Sequence, residues 1–208
     1  MADFHIEKKI LSQGYTTIAG VDEVGRGALF GPVVAACVEF SASLIQNNDS
    51  KWIEELHDSK TMSHLKREKL ADLIRKHARS IGIGIADHTE IDQSNIHAAS
   101  LAAMHRAVQN MTEEPDFILV DGFCIDYENC PQMGIPQGDQ KSGTIAAASI
   151  IAKVYRDEMM KSLDAVYQGY SLAENKGYGT ESHFTALEDL GPSPLHRQSF
   201  NLTKNKKT

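Results

Sequence analysis

The chain has 208 residues, 41% hydrophobic and 24% charged, and a formal net charge of −7, which is the range of a soluble globular protein and sets a single domain over 1–208 as the expectation. Its three cysteines, Cys37, Cys124 and Cys130, are odd in number and lack paired close spacing, which excludes a disulfide framework and a cysteine zinc site and favours a cytoplasmic setting. The acidic balance argues against passive nucleic-acid binding but leaves metal-assisted chemistry open, because carboxylates loaded with a divalent cation no longer repel phosphate.

The opening MADFHIEKKILSQGY carries acids early and lacks the apolar run of a signal peptide, and no stretch approaches membrane-span length, so no membrane partner is expected. Residues 16–22 (TTIAGVD) and 32–40 (PVVAACVEF) read as strands, short and rich in β-branched residues, separated by the glycine-bearing EVGRGALFG. From 63 to 78 the apolar positions Leu70, Leu73, Ile74 and His77 recur at helical spacing behind Ser63, a candidate N-cap. Residues 80–86 (SIGIGIA) alternate as a strand, and Ala98, Leu101, Met104, Val108 and Met111 then mark a helix.

DFILVD at 116–121 is a further apolar strand stopped by Gly122, and 123–137, with two prolines and two cysteines, reads as a loop or short ribbon. Residues 144–167 form one long helix, apolar nearly all round in its first half, which implies a central, buried position. Beyond it, 169–180 is irregular, and 181–190 is a short helix ended by Gly191 and Pro192, giving a cap before the basic tail KNKK. Strands mixed with helices give an α/β layer fold.

Two apolar strands end in acids, at Asp22-Glu23 and at Asp121, where a sheet stops and a cleft can open; there the choice is between turn residues and ligands for a hard cation. On an ideal strand Asp22 and Glu23 point to opposite faces. The glycines of Gly25-Arg26-Gly27 would let the chain turn as Glu23 leaves the strand, and Glu23's longer side chain would help. Asp139 lies just ahead of the long helix, where it serves either as an N-cap, as a ligand or as both. Four acids suit two hard divalent cations, whereas the nine histidines show no zinc-protease spacing.

GVDEVGRGALFGPVVAA, DSK, LVDG, GDQKS, AASIIAKVYRD and KGYGT follow one another in an order, spanning about residues 18–200, that resembles the ribonuclease HII family. The resemblance implies an α/β, ribonuclease H-like mixed sheet flanked by helices over about 16–168, with a small C-terminal helical cap and tail over about 169–208. It implies that Asp22, Glu23, Asp121 and Asp139 are catalytic and hold two divalent ions, Mn²⁺ or Mg²⁺. The reaction implied is hydrolysis of the RNA strand in RNA–DNA hybrids, and nicking of duplex DNA at embedded ribonucleotides, leaving 5′-phosphate and 3′-hydroxyl ends. Gly25, Arg26 and Gly27 would hold the ribonucleotide, whose 2′-hydroxyl distinguishes RNA from DNA. Tyr178 would stack at the RNA–DNA junction.

Lys60 and Lys141 are the expected phosphate contacts. Lys153 and Arg156 reach phosphate, or support the residues that do, or else flank a helix face; His183 either approaches the substrate or metals or lies on the surface; and Ser149 is small enough for close helix packing. The partners expected are hybrid and ribonucleotide-containing duplex, met by a monomer. Two rivals keep some of these features: a resolvase- or transposase-like DNA nuclease of the same fold, and a non-catalytic hybrid-binding module.

Overall fold

The computed structural model describes residues 2–47, 51–56 and 62–204, so the expected contact Lys60, with the DSK triplet, lies outside the described residues. The strands are β1 Ile18–Val24, β2 Val33–Phe40, β3 Ala78–Ala86, β4 Phe117–Asp121 and β5 Gln132–Ile135. They form one sheet in the order β3-β2-β1-β4-β5. The pairs β2–β3 and β1–β2 are antiparallel, while β1–β4 and β4–β5 are parallel. The expected mixed sheet is therefore present, flanked by helices as anticipated.

β2 is buried along its whole length because a helix covers each face. Its Ala36 and Val38 pack with α7 (Gly143–Val166), and the alternate residues Ala35 and Cys37 pack with α6 (Ile96–Gln109). A strand covered on both sides reads as a continuous apolar run, whereas β3 alternates in burial as a strand with one wetter face does. α7 lies directly on β1: a Cβ on Gly20 would stand 2.3 Å from the Ile145 nitrogen. Only glycine permits that approach, and it sets the helix two residues from Asp22.

The first half of α7 is apolar all round because it is enclosed. The sheet covers one side, and α1 (His5–Leu11) and α4 (His64–His77) close the other through Ile10, Leu70, Ala71 and Ile74. The α7 N-cap is Ser142, whose hydroxyl accepts from the Ile145 N–H at 3.2 Å. The buried Glu7 carboxylate takes the neighbouring Thr144 N–H at 2.9 Å. Asp139 is thus not the cap; it is buried on the 3-10 turn Gly138–Gln140.

Residues 123–137 supply more than a loop, since β5 within them adds a parallel edge strand to β4. Short helices α2 (Ala42–Asn47), α3 (Lys51–Glu54), α5 (His88–Gln93) and α8 (Leu172–Asn175), like α1, were not expected from periodicity, whereas α9 (Glu181–Leu190) was. The C-terminal segment packs Tyr170, Leu172, Ala186 and Leu187 against Met160 of α7 and against Leu29 and Phe30 of the loop between β1 and β2. The cap is therefore built onto that loop. No helix among the described residues is long and apolar enough to cross a membrane.

Candidate active site

β1 and β4 run parallel with Val21 opposite Val120, so the next residue of each, Asp22 and Asp121, stands side by side where the pairing of these two strands ends, at the carboxyl edge of the parallel pair. That edge is where open α/β sheets bind ligands. Asp22 accepts the Glu23 N–H at 2.7 Å and a hydrogen bond from Ser149 of α7. Asp121 accepts the Gly138 N–H at 2.6 Å. Glu23 does not leave the strand early: β1 continues through Val24, paired to β2 throughout. On the β4 side the described pairing ends at Val21, and the length of Glu23's side chain brings its carboxylate into the same gap. Arg26 holds it there, Nη1 donating to Oε1 at 3.0 Å.

Oxygen atoms of Asp22, Glu23 and Asp121 all lie within 4.8 Å of one another. Burial pushes the Asp22 carboxyl well above the usual carboxylate range, and the charges of Glu23 and Asp121 push it further. Burial likewise raises Glu23, opposed by Arg26 and reinforced by Asp121. Asp22 and Glu23, held back from ionisation beside Asp121, make with it a donor set whose repulsion a hard divalent cation relieves. The residues fit such an ion.

Beside the acids, the loop after β1 turns at Gly25 with φ +95°, and a Cβ there would stand 2.3 Å from Arg156 Nε. Both the left-handed backbone and the guanidinium demand glycine. Arg156 is fully buried and donates to the carbonyls of Pro32 (3.0 Å), Lys176 (2.7 Å) and Phe30 (3.0 Å). Arg197, equally buried, donates to those of Gly31 and Arg26, each at 2.9 Å. Two buried guanidiniums therefore gather the loop's carbonyls inward. Tyr178 closes the far side, bridging Ala28 as an antiparallel partner, with its ring 3.9 Å from where a Gly27 Cβ would be.

These groups surround a cavity of about 520 Å³, lined by Asp22, Glu23 and Asp121 together with Gly25 to Gly27, Arg67, Ser149, Lys153 and Tyr178. The family profile described as Ribonuclease HII matches residues 19–203. A protein named Ribonuclease HII from Caldanaerobacter subterraneus subsp. tengcongensis is 47% identical over 194 residues, covering 93% of this chain and 78% of its own. One of that name from Geobacter sulfurreducens is 47% identical over 199 residues, covering 96% and 88%. The chain belongs to the ribonuclease HII family. It is a ribonuclease H enzyme by that membership, and its fold agrees. The crystal structure of the ribonuclease H2 from Pyrococcus horikoshii superposes with a TM-score of 0.74 at 23% identity, covering 89% of this chain and 94% of that one.

Within this ribonuclease HII fold the expected residues fall into two groups. Asp22, Glu23, Asp121, Gly25, Arg26, Gly27 and Tyr178 meet at the cavity. Asp139 stands outside the close trio of carboxylates, on the turn whose Gly138 is tied to Asp121. Lys141 is exposed and does not line the cavity; its Nζ donates to the Pro136 carbonyl at 2.6 Å. Arg156 neither reaches out for phosphate nor decorates a helix surface, being spent on loop carbonyls. His183 is fully buried and does not line the cavity, so neither the surface nor an approach to substrate or metals describes it.

Arg67 was missed by sequence reasoning. α4 buries Arg67, Leu70, Ala71 and Ile74, a face rotated from the expected one, and a basic residue on that i, i+3, i+4, i+7 stripe is the signal that marks it. Arg67 and Lys153 both approach the buried Asp157, at 3.8 and 2.7 Å, which anchors two cations at the cavity wall. Ser149 does more than allow close packing, since its hydroxyl serves Asp22.

Proposed function

We propose that this chain is an endoribonuclease that cleaves the RNA strand of RNA–DNA hybrids and nicks duplex DNA at embedded ribonucleotides by two-metal hydrolysis, leaving 5′-phosphate and 3′-hydroxyl ends. The observation that carries this reading is the polarity of the cavity. Three carboxylates line it together with Arg67 and Lys153, while Arg26 is paired with Glu23, so the cavity offers oxygen ligands for divalent cations beside positive charge for the phosphates of a nucleic acid. The names of the relatives support the same substrate class.

Asp22, Glu23 and Asp121 would hold the ions, with Asp139 completing the set as the family resemblance implies; Mn²⁺ or Mg²⁺ bound there would supply Lewis acidity and cancel charge on the phosphate. Ser149 and the Glu23 N–H orient Asp22, and the Gly138 N–H orients Asp121. Lys153 and Arg67, steadied by Asp157, bind phosphate oxygens. With the Arg26 carbonyl drawn inward by Arg197, the segment from Gly25 to Gly27 presents little bulk to the ribose, where a 2′-hydroxyl is read. Tyr178 offers its ring for stacking at the junction.

A competition between two duplexes tests the proposal, one with a single embedded ribonucleotide and one all DNA. Cleavage of the first alone is expected. Equal cleavage of both would assign the chain to DNA nucleases of the same fold.

A further inference from the structure

Behind Tyr178 lie two histidines that the proposed chemistry does not use. His183, on α9, and His196 are fully buried, and their Nε2 atoms are 3.1 Å apart. Their outer nitrogens are also engaged. His183 Nδ1 lies 2.9 Å from the Tyr178 carbonyl oxygen, and the Ser193 N–H donates to His196 Nδ1 at 2.9 Å.

These ends fix the protons. A carbonyl can only accept, so His183 carries its hydrogen on Nδ1 and leaves Nε2 bare. A backbone N–H can only donate, so His196 Nδ1 is bare and its hydrogen sits on Nε2. The two Nε2 atoms then meet as one donor and one acceptor. A continuous chain runs from the Ser193 N–H through His196 and His183 to the Tyr178 carbonyl, with the Ser193 hydroxyl also 2.9 Å from His196 Nδ1, and every member is satisfied with both rings neutral.

Both ends of this chain are registered to the loop that frames the cavity: Tyr178 bridges Ala28, and His196 bridges Phe30. The Gly31 N–H donates to the Leu195 carbonyl and the Arg197 N–H to that of Leu29, each at 2.9 Å. The Thr180 N–H is the second donor to the Tyr178 carbonyl, at 2.8 Å. Without the His183 donor, that carbonyl would depend on a single local bond to its own turn. The ring of Tyr178 has Lys153 Nζ at 5.9 Å and the Arg156 guanidinium carbon at 5.6 Å from its centroid, contacts that bear on its face and leave the position of its backbone to the bonds at the carbonyl.

We infer that His183 and His196 form a neutral two-histidine relay that positions Tyr178, and that selection of the RNA–DNA junction depends on it. Resting on the function proposed above, the inference makes them positioning residues rather than catalytic ones. Their effect should therefore appear where Tyr178 discriminates, on a duplex with one ribonucleotide, more than on a uniform hybrid.

The test compares His183→Leu, which keeps the volume and removes the donor, with His183→Asn, whose amide nitrogen stands where Nδ1 stood. Steady-state kinetics are measured on both substrates with Mn²⁺. His183→Leu is expected to raise KM for the single-ribonucleotide duplex about tenfold and for the uniform hybrid less than about twofold, and His183→Asn to recover most of the difference. Equal losses on both substrates, or an Asn variant no better than Leu, would overturn the inference. If His183→Leu does not fold, His196→Phe, which removes the Nε2 donor at similar volume, serves in its place with the same expected split.

A second arm needs no activity. Nitrogen-15 spectra of the histidine rings in the wild-type chain should report the Nδ1–H tautomer for His183 and the Nε2–H tautomer for His196. The opposite assignment overturns the relay even if the enzyme cuts as proposed. The expected tautomers in a chain that cuts neither substrate overturn the proposed activity, and the selectivity role with it.

Discussion

Arg156 lies beneath Tyr178, its guanidinium carbon 5.6 Å from the ring centroid, while its three nitrogens are spent on the carbonyls of Pro32, Phe30 and Lys176. The same side chain therefore supports the ring and holds the loop opposite it. Burial works against its charge, pushing the guanidinium below its ordinary pKa, so the carbonyls are what keep it in place.

Removing that support is expected to be expensive. Arg156→Ala leaves three buried carbonyls without a donor and should lower stability by about 3–5 kcal/mol. Arg156→Lys should recover only part, because one ammonium cannot span three carbonyls lying in the plane of a guanidinium. Urea denaturation midpoints check both, and a fully stable Lys variant would contradict the role given to the fork.

The acid trio should destabilise the metal-free protein. Because burial, Glu23 and Asp121 all push against ionisation of Asp22, Asp121→Asn is expected to raise the melting temperature in EDTA, by the equivalent of about 1–2 kcal/mol. Manganese at about a hundredfold over Kd should stabilise the wild type by about 2.7 kcal/mol and the variant by almost nothing. Calorimetry with and without the ion distinguishes these outcomes.

The histidine pair gives acid sensitivity. Burial, with the adjacent His183, brings His196 down from its ordinary value to about 4, so the unfolded chain binds a proton there more readily than the folded one. The resulting stability is complete above pH 6.5 and is lost as pH falls toward 4, by about 3 kcal/mol. Glu7, Asp22 and Glu23, raised by burial, have the opposite sign, since protonation favours their folded state. The difference between wild type and His196→Phe across this window isolates the pair, and parallel curves would refute the assignment.

What the sequence made legible follows from physical reach. Asp22 and Asp121 stood out because apolar strands seldom end in acids, and the Val21–Val120 register then brings them together. Asp139 was ambiguous because a residue ahead of a helix has a local explanation; that explanation passed to Ser142, two residues closer to Ile145 than the turn at Gly138–Gln140 allows. β5 has no periodicity of its own and becomes a strand only through its pairing with β4. α6 buries Ala99, Ser100, Ala103 and Ala107 beside the expected Met104 and Val108, a face built of small residues that hydropathy barely registers. The relay was hidden for a different reason: His183 acquires meaning only from His196, in a segment without regular structure.

End-labelled cleavage of a duplex containing one ribonucleotide tests whether Asp22, Glu23 and Asp121 hold the ions for a cut directed by ribose. Wild type with Mn²⁺ should give a single nick at the ribonucleotide with 5′-phosphate and 3′-hydroxyl ends, and Asp121→Asn, folded by its melt, should give none, a loss of more than about a thousandfold. Full activity in Asp121→Asn, or a wild-type nick that ignores the ribonucleotide, would contradict it.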